Sequence, residues 1–220
     1  MNALPRLLLP LLLALPLAGV DAAHAAPADP ATGRWSAADR PDTASMLELS
    51  PDGRFRYGLS EGALDEGAEG RWAREGGIVR LFTEPRPVPP RFSVRSMDAA
   101  PATIPLSILV TAPNGRGIAG IRFRIDFDGG PPLEYYTQES GWTGEPADRR
   151  SPRWIQLYEP VHGFQSDRIP VPAGARTLRF LLEPNDLGTV DFQGAQVTLD
   201  GDRLTLRDRR GERHYARVTP

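Results

Sequence analysis

The chain has 220 residues, with 26 basic and 28 acidic side chains, a formal net charge of −2 and no cysteine. This length allows one large domain or two small ones, and the balanced charge gives no general attraction to nucleic acid or to anionic lipid. The lack of cysteine excludes disulfides, thiolate metal sites and a cysteine nucleophile.

Residues 1–25 have the pattern of a secretory signal peptide. Arg6 supplies the positive charge, residues 7–17 are an almost wholly apolar run, and residues 23–25 (Ala-His-Ala) form a small-x-small cleavage site. The apolar run is too short for an anchor, and no later stretch reaches the roughly 20 apolar residues of a spanning helix. We therefore expect cleavage after Ala25 and a periplasmic or secreted mature protein without a membrane span.

Residues 33–84 show the alternation of apolar and polar side chains that is typical of β-strands. Five short strands are predicted, and because they follow one another through short turns we expect an antiparallel meander. Residues 61–69 are acidic, contain two glycines and are interpreted as a hairpin loop. Residues 85–103 contain five prolines, which lack the N–H of a central strand, and are interpreted as a connection.

A second set of strands is predicted from residue 104 onward. The clearest is the strand that ends at Phe127, in which Ile121, Phe123 and Ile125 alternate with charged residues. Residues 186–220 then return to short strands separated by turns such as Asp200-Gly201-Asp202. The whole chain is therefore predicted to be all-β.

Two short motifs in the outer parts of the chain are similar to those of a known protein family. Gly-Arg-Trp occurs at residues 33–35 and again at 70–72, and Leu-x-Leu-x-x-Asp-Gly-x-Phe-x-Tyr lies between them, from Leu47 to Tyr57. This resembles the small lipocalin-like, or calycin-like, barrels of bacterial envelope proteins. In that family a Gly-x-Trp begins the first strand and the tryptophan plugs one end of the barrel. The family usually also has a characteristic arginine and a helix, which the sequence pattern does not place.

A barrel of this kind needs about eight strands to close. Residues 32–88 supply five and residues 186–219 supply three, so we expect one antiparallel eight-stranded barrel that is split along the chain. Residues 100–185 would then form an inserted module. The alternative is two consecutive domains, 32–88 and 104–220, but five strands alone would leave a small open sheet with exposed edges.

The inserted part carries a second set of matching residues. They are 106–111, Asn114-Gly115 with the following 118–121, the alternating strand to Phe127, and Thr-x-x-x-Gly at 137–141. This pattern resembles the transthyretin-like or carboxypeptidase-regulatory-like β-sandwich. The resemblance implies an adhesion, sugar-binding or scaffold module. The histidine and arginine positions of the hydrolytic members of that family are not found in this chain.

No motif in the chain points to a particular catalytic chemistry. After Ala25 the only histidines are His162 and His214, without His-Glu-x-x-His spacing, and there is no Gly-x-Ser-x-Gly. Asp126 and Asp128 precede two glycines but lack the further oxygen ligands of a calcium loop, and they are interpreted as turn residues. We expect no metal and no cofactor.

The candidate binding residues are aromatic side chains in the central module. They are Tyr135, Tyr136, Trp142 and Trp154, with Tyr158 and Phe164 nearby in the sequence. Tyrosine and tryptophan are common in binding patches because they bury apolar area and keep a polar group, and loops on a rigid sandwich carry much recognition. Arg122 and Arg124 would add charge on an exposed strand face. The alternative for the aromatic residues is packing beneath their own loops.

The sequence thus favours an exported, non-enzymatic envelope protein that binds a protein, a glycan or a small apolar ligand, and not nucleic acid. One alternative is a secreted hydrolase with scattered aspartate, glutamate and His162 as catalytic groups. A further alternative is a structural accessory subunit of an envelope assembly.

Overall fold

The computed structural model describes residues 29–37 and 42–219, so the predicted signal peptide lies outside the described residues. The regular structure in these residues is entirely β, which confirms the predicted all-β class. Within this part of the chain there is no helix that could serve as a membrane span. The strands are β1 (Gly33–Ala37), β2 (Thr43–Leu49), β3 (Arg54–Glu61), β4 (Leu64–Glu75), β5 (Ile78–Thr83), β6 (Arg91–Ala99), β7 (Ser107–Thr111), β8 (Arg122–Phe127), β9 (Leu133–Tyr136), β10 (Trp142–Thr143), β11 (Pro152–Glu159), β12 (Phe164–Gln165), β13 (Ile169–Pro170), β14 (Ala175–Glu183), β15 (Gln193–Asp200), β16 (Arg203–Asp208) and β17 (Gly211–Arg217).

Eight strands from the two outer parts of the chain close one antiparallel barrel. Their order is β1-β17-β16-β15-β5-β4-β3-β2. The late strands enter at two seams, where β15 pairs with β5 and β17 pairs with β1 in the register Trp35↔Arg217. The predicted closed barrel of five early and three late strands is therefore confirmed. The limits of separate domains stay a prediction.

The interior of the barrel is occupied by apolar side chains from every strand. Phe192, just before β15, lies among them, with its ring centroid 5.1 Å from that of Tyr57 and 6.0 Å from that of Phe55. An eight-stranded barrel is only wide enough for side chains to fill it. The largest fully buried members of this core are Trp35, Phe55, Phe192, Leu47, Leu49 and Leu81.

Trp35 is completely buried at the start of β1 and is held by its neighbours in the fold. Its indole N–H donates to the carbonyl of Ala31 at 2.9 Å. The guanidinium of Arg217 lies over the indole ring, 4.1 Å from the centroid, and donates to the carbonyls of Thr32 and Pro30. The guanidinium of Arg217 thus covers the ring of Trp35 and binds the backbone of the segment that precedes β1.

The central strands form two sheets that share a second apolar core. One sheet has the order β10-β7-β14-β6, and the other has the order β12-β11-β8-β9, with β13 also paired to β11. The pair β7–β14 is parallel and the other pairs are antiparallel. The inward side chains that meet between the sheets include Ile108, Val110, Leu178 and Phe180 from the first and Phe123, Ile125, Ile155 and Leu157 from the second.

Two local predictions are wrong. Residues 85–103 are not only a connection, because residues 91–99 form β6, which pairs with β14 along its length. The prolines flank this strand and none lies within it, and β6 is an edge strand. Residues 61–69 are not a loop either, since β4 already begins at Leu64 after a tight turn at Gly62, whose φ is 59°.

The two connections between barrel and sandwich run side by side. Asp186 accepts a hydrogen bond from the N–H of Val88 at 2.8 Å, and the side chain of Asn185 donates to the carbonyl of Pro89 at 2.8 Å. At the barrel seam, the hydroxyl of Thr83 donates to the Val190 carbonyl at 2.8 Å and accepts from the N–H of Phe192 at 2.9 Å. The chain therefore leaves and re-enters the barrel at one place.

Candidate functional site

The candidate site is the outer face of the β12-β11-β8-β9 sheet. Alternation along β8 turns Phe123 and Ile125 into the sandwich core and leaves Arg122 and Arg124 exposed, as predicted for an exposed strand face. The neighbouring strands are in register with β8, so that outward side chains line up in rows across the sheet. Residues that are far apart in the chain thus become neighbours.

Three rows cross this face. The first, which we name the tyrosine row, consists of Tyr136, Arg122, Tyr158 and Gln165, on β9, β8, β11 and β12. The second consists of Glu134, Arg124 and Gln156. The third consists of Asp126, Trp154 and Pro170. Directly opposed side chains on adjacent strands lie close enough to interact, so each row acts as a local unit.

The polar side chains of the second row are engaged by other groups of the protein. Arg124 forms ion pairs with Glu134 at 2.6 Å and with Asp126 at 3.3 Å. The amide of Gln156 donates to the carbonyl of Ser166 at 3.0 Å. The strong donors of this row are therefore already engaged by groups of the protein itself.

The third row is also engaged. Asp126 forms an ion pair with Arg168 in addition to its contact with Arg124. The guanidinium of Arg168 lies over the ring of Trp154, 5.4 Å from the centroid. Trp154 thus lies on the predicted face, but an arginine of the protein covers its ring.

The tyrosine row differs from both. Among the described residues, the polar ends of its four side chains make no hydrogen bond and no ion pair with another side chain or with the backbone. Arg122 is an exposed guanidinium that has no carboxylate partner within residues 29–37 and 42–219, whereas Arg124, two residues along the same strand, has two. The ring of Tyr136 stacks on that of Tyr135, with centroids 4.8 Å apart and an interplanar angle of 5°. This row is therefore a set of unengaged donors and acceptors beside an aromatic surface.

A shallow groove of about 460 Å³ lies over the tyrosine row. It is open to solvent along its length. Four of the six predicted site residues line it, namely Arg122, Arg124, Tyr135 and Tyr136, and the remaining lining residues are Phe123, Glu134, Gln156, Tyr158 and Gln165. The groove therefore brings together side chains from four strands of one sheet.

Trp142, which was also predicted as a site residue, lies outside this groove. It is half-buried and packs edge-on against Phe123, with ring centroids 5.1 Å apart. Its ring is 6.3 Å from that of Tyr135. Trp142 therefore supports the groove from the core side, and we do not include it in the binding surface.

Sequence reasoning did not select two residues of the row. Tyr158 was noted as an aromatic neighbour, and its outward position follows from the alternation Trp154, Gln156, Tyr158 along β11. Gln165 belongs to a strand of two residues that exists only because it pairs with β11, so no local pattern marks it.

The charged side chains of the three rows are Arg122, Arg124, Asp126 and Glu134, and Arg168 joins them from the segment after β12. Glu134 pairs with Arg124, and Asp126 contacts both Arg124 and Arg168. Among the described residues, Arg122 is the arginine of this set that has no carboxylate partner.

A second concave region separates the barrel from the sandwich. This cleft of about 1020 Å³ is lined by His162, by residues 186–196 and by residues 207–210 of the barrel, among others. His162 Nδ1 is 3.1 Å from the carboxylate of Glu159, which also accepts the N–H groups of Val161 and His162. In the described part of the chain, no hydroxyl contacts His162, and no group of three histidine or acidic residues could hold a metal ion. His214 is elsewhere, beside Thr205 on the barrel surface.

Comparisons with known proteins add no family to these observations. A scan against protein-family models, a search of curated proteins and a search of solved structures each found no match to this chain. The assignment of a function therefore depends on the geometry of the tyrosine row.

Proposed function

We propose that this protein is an exported, non-enzymatic binding protein, periplasmic or secreted, whose sandwich binds a glycan over the tyrosine row. The observation that carries the proposal is the contrast between rows. In the part of the chain that the structure describes, the polar groups of the tyrosine row are unengaged, while those of the second row make ion pairs and hydrogen bonds with groups of the protein. The export signal in residues 1–25 supports an extracytoplasmic site of action.

A glycan fits this surface better than the other ligands considered. Sugars present both hydroxyl groups and apolar C–H faces, and tyrosine offers a ring face together with a hydroxyl. A small apolar ligand would need an enclosed, mostly apolar pocket, whereas this groove is open and lined by polar and apolar groups alike, and the barrel interior is occupied by its own core. A stable protein interface buries about 800 Å² on each partner, which is far more than four side chains provide.

We further infer that the barrel is lipocalin-like and that the sandwich is transthyretin-like. The closed eight-stranded order supports the first inference, as does the position of Arg217 over the buried Trp35. A characteristic arginine is one feature that the resemblance leads one to expect. The second inference agrees with a sugar-binding or adhesion role for the central module.

The hydrolase alternative has one favourable observation, the Glu159–His162 pair at the edge of the cleft between barrel and sandwich. A buried carboxylate that orients a histidine is part of many acid–base sites. The pair lacks a hydroxyl nucleophile in contact with the imidazole among the described residues, so the glycan-binding role is the better supported.

The test is calorimetric titration of the mature chain with neutral and acidic oligosaccharides. Replacing Tyr136 or Tyr158 with alanine should weaken glycan binding by about 5- to 10-fold, because a stacked aromatic contributes roughly 1 kcal/mol. Met46→Ala, at an exposed position of the barrel, is the matched control and should bind like the wild type. Thermal unfolding confirms that each variant is folded. Equal affinity in all variants, or the absence of binding to any glycan, would contradict the proposal.

A further inference from the structure

We propose that the ligand is an acidic oligosaccharide that lies across the strands, with the carboxylate of an internal sugar on Arg122. This inference rests on the proposed function and specifies its ligand class. Three features carry it: the unpaired charge of Arg122, its position within the row, and the satisfied state of its neighbours along the strand.

The positive charge of Arg122 favours a ligand that carries an anionic group. The other two arginines on this face, Arg124 and Arg168, each contact a carboxylate of the protein, and Arg122 contacts none among the described residues. A guanidinium carries five N–H donors in a planar fork that matches a carboxylate with two parallel hydrogen bonds. The one guanidinium of this set that has no carboxylate partner among the described residues is balanced by one carboxylate, so a monoanionic group fits better than a doubly charged phosphate ester.

The direction of the ligand follows from the register. The tyrosine row occupies four adjacent strands, and three inter-strand spacings of about 4.8 Å give a row about 14 Å long. Along β8, in contrast, the next outward side chain is Arg124, which is already paired with Glu134 and Asp126. A ligand therefore gains more contacts by crossing the strands than by running along one of them.

The position of the charge within the ligand follows from the same row. Arg122 lies between Tyr136 on β9 and Tyr158 on β11. A sugar that places its carboxylate on Arg122 is thus flanked by a tyrosine on each side, and each tyrosine can contact a neighbouring sugar. The acidic sugar is therefore an internal residue of a chain of about three sugars.

The experiment uses trigalacturonate, neutral galactotriose and galactose 6-phosphate as calorimetric probes. We expect wild-type protein to bind trigalacturonate at least 10-fold more tightly than galactotriose, and galactose 6-phosphate only weakly. Arg122→Gln should reduce the preference for the acidic trimer over galactotriose to less than 3-fold. Arg179→Gln, at an exposed arginine on β14 of the other sheet that forms no ion pair among the described residues, is the control and should keep the full preference.

A trimer with only its central carboxylate free should keep the preference, and one with only that carboxylate esterified should lose it. Binding of both trimers with equal affinity, or an unchanged preference in Arg122→Gln, overturns the acidic-ligand inference while the proposed function stands. Tighter binding of galactose 6-phosphate than of trigalacturonate also overturns it. If neither trimer binds, the proposed function itself fails.

Discussion

Arg176 on β14 allows a sharp test of how the sandwich is stabilised. Its side chain is buried, with only 4% of the residue exposed, and its guanidinium donates hydrogen bonds to three backbone carbonyls. The Nε, Nη1 and Nη2 groups donate to the carbonyls of Ile104, Arg150 and Asp148, each at 2.9 Å. One side chain therefore fastens two irregular segments, before β7 and before β11, to the central strand of a sheet.

The magnitude follows from those three bonds. Hydrogen bonds that involve a charged group contribute about 1.5–3 kcal/mol each, so three would contribute at most roughly 5–9 kcal/mol. Part of this is recovered in Arg176→Met, because loop segments near the surface allow their carbonyls to bind water, and Ile104 is 47% exposed. We therefore expect a loss of about 3–5 kcal/mol in the free energy of unfolding. Arg176→Lys keeps the charge but cannot reach three carbonyls. Its free energy of unfolding should therefore lie between those of the wild type and Arg176→Met.

The assay is urea unfolding followed by tryptophan fluorescence. Trp142 lines the same small cavity as Arg176 and Asp148, so its emission reports on this part of the sandwich. Arg179→Met, at an exposed arginine three positions along β14, is the matched control and should change the free energy of unfolding by less than about 0.5 kcal/mol. A loss below about 1 kcal/mol in Arg176→Met, or equal losses in the two variants, would refute the role assigned to the three hydrogen bonds.

Three further predictions concern the barrel. Phe192→Ala should lower the free energy of unfolding by about 3–5 kcal/mol in urea titrations, since it removes a fully buried ring from the core, and a loss below 1 kcal/mol would show that the late segment does not complete that core. Burial raises the pKa of Tyr215 from 10.0 to about 12, only partly opposed by its hydrogen bond to Ser45, so the folded chain keeps this proton when the unfolded chain loses it. The contribution of Tyr215 to the free energy of unfolding should be fully present below pH 10 and should fall by about 2–3 kcal/mol as the pH rises to 12. Tyr215→Phe should remove that part of the fall, and an identical pH profile in the variant would contradict the assignment. Arg217→Gln should cost about 1–2 kcal/mol in thermal unfolding, since it removes the cation from the face of Trp35, and no change in Tm would exclude a stabilising contact.

Much of the barrel could be predicted because the alternation of apolar and polar residues is visible locally in the sequence, and because a closed barrel of this kind needs a fixed number of strands. Five early strands leave open edges, and three late strands are what an eight-stranded barrel still needs. The errors have physical causes. Prolines mark the ends of β6 as well as connections, and the acidic, glycine-containing start of β4 has Leu64 and Ala68 as its apolar residues, too few for a clear apolar pattern.

The candidate site could be predicted only in part. Alternation along β8 placed Arg122 and Arg124 on an exposed face, and Tyr135 and Tyr136 lie beside them. What separates Arg122 from Arg124 is the cross-strand partner of each, and that depends on the register of three strands, which no local pattern fixes. Tryptophan is common both in binding surfaces and in cores, so the residue type of Trp142 does not reveal its role. Only its packing against Phe123 shows that it supports the groove from the core side.

The most direct test of the binding role is a map of backbone amide chemical shifts during titration of the isotope-labelled protein (residues 26–220) with trigalacturonate. The largest changes should fall on β8, β9 and β11, centred on Arg122, Tyr136 and Tyr158, with the barrel almost unchanged. Changes concentrated instead in the barrel, or around His162 in the cleft between barrel and sandwich, would contradict the assignment of the tyrosine row as the ligand site.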